Sequence, residues 1–298
     1  MKKHQASSTA YTVIQGVLYI AQHPAYSNLV SDDVKNVCLK ILSDSKEGRK
    51  RLRQLDNWWF KPLIPIIERL MTPGIMLHYV LRKRYIEDYT LQSLHDGGKQ
   101  VLNLGAGFDT LAYRLAKRHS NVNFVEFDYP ATQQVKTHAL MTTGDKWKNL
   151  HFLPIDFTTQ LIEDVLKQSS YVSCETQTLC ILEGVLMYLN EIQVKQLFES
   201  LSQVFHAGIR VIFTAAEPAS KSTYSYGPLL KMYLNLKGEA LNWVYEKDKV
   251  DGFLYSLGYV LQKLAGSQEF KHRYLGSDYA GILNEGEYIA VADNCWSV

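Results

Sequence analysis

Residues 101–110 of the chain read Val-Leu-Asn-Leu-Gly-Ala-Gly-Phe-Asp-Thr. The short, mainly apolar segment 100–104 predicts a strand. This strand runs directly into a loop between Gly105 and Gly107 and then into a helix with Asp109 in its first turn. In open α/β sheets, ligands bind at the carboxyl ends of the strands, where glycines let the backbone approach a nucleotide closely. The stretch therefore predicts a site for a nucleotide-like ligand at the end of a strand.

On both sides of this loop, short apolar segments alternate with segments whose apolar residues recur at helical spacing. The predicted strands are residues 100–104, 122–127, 150–155, 179–182 and 210–215. The predicted helices between them are residues 109–117, 130–141, 161–167 and 191–205. Strands that alternate with helices are typical of a parallel sheet covered on both faces. The predicted fold class is therefore α/β, with a Rossmann-like doubly wound sheet.

A single domain of 298 residues is predicted. Residues 1–96 form a helical N-terminal region, and residues 97–217 form the core in which strands and helices alternate. Residues 218–298 contain a cap insertion after the fifth strand and the C-terminal strands. The helices of the first region are expected at 34–42 and 75–94, and late strands that close the sheet at 260–264 and 287–292. The cap is rich in aromatic residues, namely Tyr224, Tyr226, Tyr233, Trp243 and Tyr245.

Composition and charge are ordinary for a globular protein, since 46% of the residues are hydrophobic and the net charge is +2. The basic run 49–53 is interpreted as a solvated helix face rather than a nucleic-acid site. The four cysteines lack C-x-x-C spacing, which argues against a metal site and suits a reducing compartment. The apolar stretch 62–81 contains two charged residues and three prolines, which a membrane span tolerates poorly. A soluble, cytoplasmic protein with no metal, nucleic acid or membrane partner is expected.

Carboxylates follow the next two predicted strands. Glu126 and Asp128 come about 20 residues after Gly107, where an acid can accept hydrogen bonds from ribose hydroxyls. Asp156 ends the third strand, where a carboxylate can accept from an adenine amino group while Phe157 packs against the ring. Acids at the ends of successive strands fit an adenosine that lies across the edge of the sheet.

Two kinds of adenosine cofactor compete for this loop. A dinucleotide fingerprint has a third glycine in the helix after the loop, and Thr110 stands three residues after Gly107 instead. A pyrophosphate docked on that helix would also face the carboxylate of Asp109, and like charges repel. S-adenosyl-L-methionine carries a cationic sulfonium and no phosphate, so the residues favour this cofactor over NAD.

Several motifs occur together along residues 80–215. They are Arg-Lys-Arg-Tyr-Ile-Glu-Asp at 82–88, Asn-Leu-Gly-Ala-Gly-Phe-Asp-Thr at 103–110 with Tyr-Arg-Leu at 113–115, Phe-Val-Glu-Phe-Asp-Tyr-Pro at 124–130, and Glu-Gly-Val-Leu-Met-Tyr-Leu at 183–189. In this combination and spacing the chain resembles the leucine carboxyl methyltransferase family, including its bacterial branch of S-adenosylmethionine-dependent O-methyltransferases. The resemblance implies the class I methyltransferase version of the Rossmann-like fold.

The resemblance also implies roles for single residues. The loop formed by Gly105, Ala106 and Gly107 would hold the cofactor. Asp128, more than Glu126, would bind the ribose hydroxyls, as the residues themselves also suggest.

The remaining cofactor contacts are implied in the same way. Asp156 and Phe157 would contact adenine, and Glu183 would pair with the amino group of the methionine moiety. Arg82 would clamp the cofactor carboxylate, as a guanidinium fork does well. Tyr188 would lie near the transferred methyl group and is the predicted catalytic residue.

The predicted function is an O-methyltransferase that methylates a carboxylate or hydroxyl of a small molecule or a peptide terminus and releases S-adenosyl-L-homocysteine. No histidine or lysine of the motifs is a compelling base, which favours a carboxylate, because that acceptor is already ionised at neutral pH. An NAD-dependent oxidoreductase and a catalytically silent binding protein with the same fold are the alternatives.

Overall fold

The computed structural model describes residues 5–141, 147–157, 159–218, 220, 241–276 and 278–296. Its centre is a seven-stranded sheet in the order β3-β2-β1-β4-β5-β7-β6. The strands are β1 Gln100–Leu104, β2 Asn123–Asp128, β3 Leu150–Pro154, β4 Thr178–Leu182, β5 Ile209–Ala216, β6 Val260–Ala265 and β7 Glu287–Asn294. The α/β class and the doubly wound sheet predicted from the sequence are confirmed.

Strands β1 to β5 run parallel, and β7 pairs antiparallel with both β5 and β6. The central strands β1, β4 and β5 are buried at every residue, as expected for a sheet covered by helices on both faces. The chain adds strands on one side of β1 with β2 and β3 and then continues on its other side with β4. This change of direction opens a crevice at the carboxyl ends of β1 and β4, which is where such sheets bind ligands.

Helices cover both faces of the sheet and form a layer at the N-terminus. They are α1 Ser8–Ala21, α2 Asp32–Asp44, α3 Lys46–Asp56, α4 Ile64–Met71, α5 Ile75–His95, α6 Leu111–Arg118, α7 Pro130–Met141, α8 Ile162–Gln168, α9 Glu191–Val204, α10 Val250–Ser256 and α11 Ser267–Phe270. Their ends follow local chemistry. Ser7, Ser31 and Ser45 cap α1, α2 and α3 through their side chains, and Asn190 forms a capping box with Gln193 at α9.

The helix after the glycine loop begins two residues later than predicted. Its first residue is Leu111, because the Asp109 side chain lies outside the helix and its Oδ2 accepts from the Leu111 N–H at 3.3 Å. The carboxylate nonetheless sits at the N-terminus of α6, as the charge argument against a pyrophosphate requires.

The predicted cap is only partly within the described residues. Tyr224, Tyr226 and Tyr233 lie outside them. Trp243 is buried and stacks on Tyr245 with ring centroids 5.3 Å apart, and both rings lie against Phe253 of α10. These two aromatic residues therefore have packing roles at the sheet edge. No helix in the described part of the chain combines the length and the apolar character that crossing a membrane requires.

Helix α5 packs against α1 in the N-terminal helical layer. Leu81 of this helix is 0% exposed within the first apolar core, whereas Leu91 on the same helix is 38% exposed. The two leucines therefore offer a matched test of how strongly the layer is held.

We expect Leu81→Ala to lower the free energy of unfolding by about 2–5 kcal/mol, because it removes buried methyl groups and leaves a cavity. Leu91→Ala should change it by no more than about 0.5 kcal/mol, as surface substitutions usually do. Urea unfolding followed by circular dichroism measures both values. Equal losses in the two variants would show that α5 is not packed as described.

Candidate functional site

The glycine loop after β1 requires glycine at two positions. Gly105 has φ +70° and Gly107 has φ +51°, both in the left-handed region that side chains disfavour. A Cβ on Gly105 would also lie 2.4 Å from Cγ2 of Val185, in the loop after β4. The loop therefore turns sharply and packs closely against the end of the neighbouring strand.

The backbone N–H groups of this loop are already bonded within the protein. Those of Gly105 and Ala106 both donate to the carbonyl of Phe127, at 2.8 and 3.0 Å. That of Gly107 donates to Oδ2 of Asp128 at 2.6 Å. All three amides are thus engaged by the end of β2, which leaves none of them in the loop free for a phosphate.

Asp128 ends β2 beside the loop and is 9% exposed. Its other oxygen, Oδ1, accepts from the Tyr129 N–H at 2.7 Å. Burial raises the pKa of Asp128 above its usual value, although the Gly107 N–H opposes this shift. A carboxylate oxygen accepts more than one hydrogen bond, so both oxygens can still receive ribose hydroxyls.

Glu126 lies two residues before Asp128 on the same face of β2 but is 0% exposed. Its Oε2 lies 2.5 Å from Nζ of Lys136 on α7, within a fully buried ion pair. Burial raises the pKa of Glu126 to about 7 in spite of this lysine. The structure thus places Glu126 in a buried ion pair beneath Asp128, and its contact with the cofactor stays a prediction.

Asp109 accepts hydrogen bonds from two further side chains. Nζ of Lys83 donates to its Oδ1 at 2.8 Å, and Nδ2 of Asn103 donates to its Oδ2 at 3.2 Å. Burial alone would raise the pKa of Asp109, but the charges of Lys83, Lys136 and Arg114 and the hydrogen bond from Lys83 together outweigh burial and hold this pKa below its usual range. A permanent carboxylate therefore occupies the place where a dinucleotide fold would hold its pyrophosphate.

Glu183 follows β4 directly and is held from two sides by consecutive residues of α5. Nε and Nη2 of Arg82 donate to its Oε1 at 2.9 and 2.6 Å, and Nζ of Lys83 donates to its Oε2 at 3.0 Å. The next residue, Gly184, has φ +68° and donates its N–H to Oγ1 of Thr214 on β5. The turn after β4 thus presents the carboxylate at the crevice with both oxygens bonded.

Arg82 is 5% exposed and joins this carboxylate to a second one. Its Nη1 donates to Oε2 of Glu287, the first residue of β7, at 2.6 Å, and Nε2 of His78 lies 2.9 Å from the same oxygen. Burial alone would raise the pKa of Glu287, but Arg82 and His78 lower it to about 2. Arg82 is therefore a buried link between the end of β4 and the start of β7, and it is not part of an exposed helical face.

We call this group the ion cluster. Its members are His78, Arg82, Lys83, Asp109, Glu183 and Glu287. Carboxylates outnumber the permanent cations in it by three to two. The sequence motifs pointed to Arg82 and Glu183 separately, but not to each other. The position of Lys83 next to Arg82 in the 82–88 motif could have marked it as a site residue, whereas no motif of the sequence includes Glu287.

The predicted adenine contacts lie on the other side of the loop. Asp156 is half-buried, and its carbonyl accepts from the N–H groups of Thr159 and Gln160, which begins a turn before α8. Phe157 is half-buried and packs against the second apolar core. Both residues lie just beyond the carboxyl end of β3, next to β2, in the order that the adenosine prediction needs.

Tyr188 lies in a single 3₁₀ turn, Leu186–Tyr188, five residues beyond Glu183. Its carbonyl accepts from Nδ2 of Asn242 at 2.9 Å, and the Met187 carbonyl accepts from the Asn242 N–H at 2.7 Å. The side chain is half-buried. Its place near the transferred methyl stays a prediction.

Sheet order, antiparallel β7 and the glycine loop at the end of β1 together define the class I methyltransferase fold. A crystal structure of a "putative methyltransferase" from Thermobifida fusca YX superposes with a TM-score of 0.59 at 12% identity, covering 98% of this chain and 96% of that one. At this identity the likeness concerns the fold alone.

The family follows from the sequence match. The model of the leucine carboxyl methyltransferase family matches residues 20–202, which is more than half of the chain. The chain therefore belongs to the leucine carboxyl methyltransferase family, and its family and fold place it in the class of S-adenosylmethionine-dependent methyltransferases.

Curated relatives agree with this classification. The chain is 27% identical over 234 residues to the "Putative S-adenosyl-L-methionine-dependent methyltransferase YktD" of Bacillus subtilis (strain 168), which covers 77% of this chain and 74% of that protein. A relative of the same description from Mycobacterium sp. (strain KMS) is 30% identical over 203 residues, with 64% of each chain covered.

The lowered pKa of Glu287 in the ion cluster predicts how the free energy of unfolding changes in acid. The pKa of Glu287 is lowered from 4.5 to about 2 in the folded protein, so its ionised form stabilises the fold above pH 4.5. That contribution, on the order of 3 kcal/mol, is lost progressively as the pH falls from about 4.5 towards 2. Wild-type protein should therefore lose roughly 2 kcal/mol more than Glu287→Gln between about pH 6 and 3.

Urea unfolding at a series of pH values measures this difference. Glu199→Gln, at an exposed position of α9, is the matched control and should follow the wild-type curve. If Glu287→Gln also follows that curve, the ionised Glu287 does not stabilise the fold.

Proposed function

We propose that this protein is an S-adenosylmethionine-dependent O-methyltransferase that methylates a carboxylate of a small molecule or a peptide terminus. The observation that carries the proposal is the ion cluster at the carboxyl ends of β1 and β4, in which the pKa of Lys83 is raised and the pKa values of Asp109 and Glu287 are lowered.

The charge at the crevice suits a cationic cofactor without phosphate. Carboxylates exceed permanent cations in the ion cluster, and the loop amides of residues 105–107 are bonded to β2. A sulfonium is attracted to such a site, whereas a pyrophosphate would meet Asp109 and Asp128 without a free loop amide to bind. These features support S-adenosyl-L-methionine as the cofactor and weigh against NAD.

Individual side chains have the chemistry to hold that cofactor. Asp128 would accept from the ribose hydroxyls, while Asp156 and Phe157 would contact the adenine. Glu183 would pair with the amino group. The hydrogen bonds of Arg82 to Glu183 and Glu287 use three of its five N–H groups, so two can bind the cofactor carboxylate.

The acceptor is inferred from four titratable side chains near the crevice, Lys83, Tyr79, Asp109 and Glu287, whose pKa shifts make them poor bases. Asp109 and Glu183 outweigh burial and raise the pKa of Lys83, so this lysine stays protonated. Burial raises the pKa of Tyr79, whose ring lies 5.2 Å from the Arg82 guanidinium, to about 12. Asp109 and Glu287 have lowered pKa values and are weak proton acceptors.

A carboxylate acceptor needs none of these groups as a base. Its pKa of about 4 makes it ionised at neutral pH, whereas a phenol or alcohol benefits from proton removal during transfer. When bound, S-adenosylmethionine supplies the electrophilic methyl group. The task of the protein is then to hold the acceptor oxygen in line with it, which is worth at most about 7–11 kcal/mol. Tyr188 is the proposed contact beside the methyl.

Asp128 provides a test of the cofactor assignment. Wild-type protein should bind S-adenosylmethionine and S-adenosylhomocysteine in titration calorimetry, and Asp128→Asn should bind both at least tenfold more weakly, since an amide lacks the charge that strengthens bonds to ribose hydroxyls. Asp251→Asn, at an exposed position of α10, is the control and should bind as wild type. Absence of binding to wild-type protein at millimolar ligand would rule out the methyltransferase proposal.

The acceptor can be identified by class before it is known by name. Wild-type protein is incubated with methyl-labelled cofactor and cell extract, and the labelled products are treated with base. Carboxyl methyl esters release volatile methanol in base, whereas methyl ethers and methylamines do not. We expect most of the label to become volatile. Label that stays non-volatile would make the carboxylate assignment wrong, and no transfer to any acceptor would favour a silent binding protein.

A further inference from the structure

The segment between α3 and α5 presents apolar side chains to solvent instead of to the core. Six large residues, which are Trp58, Trp59, Leu63, Ile66, Ile67 and Leu70, are between 41% and 85% exposed. We call them the outer apolar face. Clustered exposed apolar groups of this kind mark interaction surfaces in folded proteins.

The aliphatic part of this face follows the periodicity of a helix. Leu63, Ile66, Ile67 and Leu70 stand at positions i, i+3, i+4 and i+7, which lie on one side of a helix. In a helix that packs on its own protein this side would point inward. Here only Ile64, at 6% exposed, lies in the core.

The segment is nevertheless held in a defined position. Oε1 of Glu68 accepts from the Met76 N–H at 2.8 Å and ties α4 to the start of α5. Nζ of Lys61 donates to Oε1 of Gln22, just after α1, at 2.9 Å. The outer apolar face is therefore a built surface whose apolar side is directed away from the molecule.

Positively charged residues flank this surface along the chain. Residues 46–71 contain seven Lys and Arg against three Asp and Glu, although the whole chain has a net charge of only +2. Helix α3, which carries five of these basic residues, ends at Asp56, two residues before Trp58. Arg49, Lys50, Arg53 and Arg69 are exposed. The charge excess of the chain is thus concentrated around its exposed apolar segment.

We propose that the outer apolar face docks the protein on an anionic lipid bilayer surface. Helix α4 has eight residues and is about 12 Å long, so it would lie flat in the interface with its apolar side towards the acyl chains. The indoles of Trp58 and Trp59 suit the boundary between headgroups and hydrocarbon. The surrounding lysines and arginines would bind anionic headgroups.

A second copy of the chain fits this surface less well. In a symmetric dimer the same patch meets itself, so the basic excess of residues 46–71 would face an equal excess. Like charges at an interface oppose association. An anionic bilayer instead complements both the charge and the apolar side chains.

This inference departs from the sequence-based expectation of no membrane partner. That expectation rested on the lack of a spanning segment. A peripheral surface needs no span, and the outward direction of Ile66 and Leu70 becomes visible only in the fold. The proposal does not depend on the methyltransferase assignment, because binding is measured without cofactor.

The test is flotation of the full-length protein with lipid vesicles. Wild-type protein should bind phosphatidylcholine vesicles with about a quarter of phosphatidylglycerol at least tenfold more tightly than pure phosphatidylcholine vesicles, and high salt should weaken this binding. Ile66→Glu should weaken it at least tenfold. Ile192→Glu is the matched control, since it adds the same charge at an exposed isoleucine of α9, and it should bind as wild type.

Circular dichroism before flotation checks that both variants are folded. The proposal is overturned if wild-type protein binds none of the vesicles. It is also overturned if the Ile66→Glu variant binds them as tightly as wild type does. If light scattering shows that wild-type protein is a dimer and Ile66→Glu is a monomer, and wild type binds no vesicles, the outer apolar face is instead an interface between two copies of the chain. The same loss of vesicle binding in both variants would show that charge alone acts, which also contradicts docking through this face.

Discussion

The site depends on the hydrogen-bonded ion pairs that two consecutive residues of α5, Arg82 and Lys83, form with the carboxylate of Glu183. Arg82 and Lys83 hold both oxygens of Glu183, and each then reaches a further acid, Glu287 or Asp109. These ion pairs fix four segments of the chain at one edge of the sheet. The segments are α5, the loop after β1, the end of β4 and the start of β7. Because these groups are largely buried, removing one partner would leave a charge without compensation, which is costly in a protein interior.

Local sequence predicted the parts of this arrangement well. The bounds of β1 and of α7 agree with the prediction to the residue, because Gly105 and Pro130 mark an end and a start that local chemistry dictates. The pairing of the parts was not predictable in the same way. Arg82 and Glu183 are 101 residues apart, and Arg82 and Glu287 are 205 apart, so their contact depends on how α5 packs across the sheet edge.

Two further outcomes show where residue type alone is insufficient. Glu126 and Asp128 share one face of β2, but the first is buried in an ion pair with Lys136 of α7 while the second borders the glycine loop. In α4, which was not among the predicted helices, the apolar residues have the spacing of an amphipathic helix, but this spacing does not determine which way the helix faces. The anchoring of Ile64 and Glu68 determines that direction, and both depend on tertiary contacts.

The bonded amides of the glycine loop also limit how this chain could change during evolution. A phosphate-binding loop would need its N–H groups released from β2 and the acid at the start of α6 removed. Changing Asp128 alone leaves Asp109 facing the phosphate, and changing Asp109 alone leaves the Gly107 amide occupied and strips Lys83 of a partner. Each single step weakens the existing site without creating the other. The two cofactor classes are therefore separated by at least two simultaneous substitutions, which makes the choice of cofactor a slowly changing property of this fold.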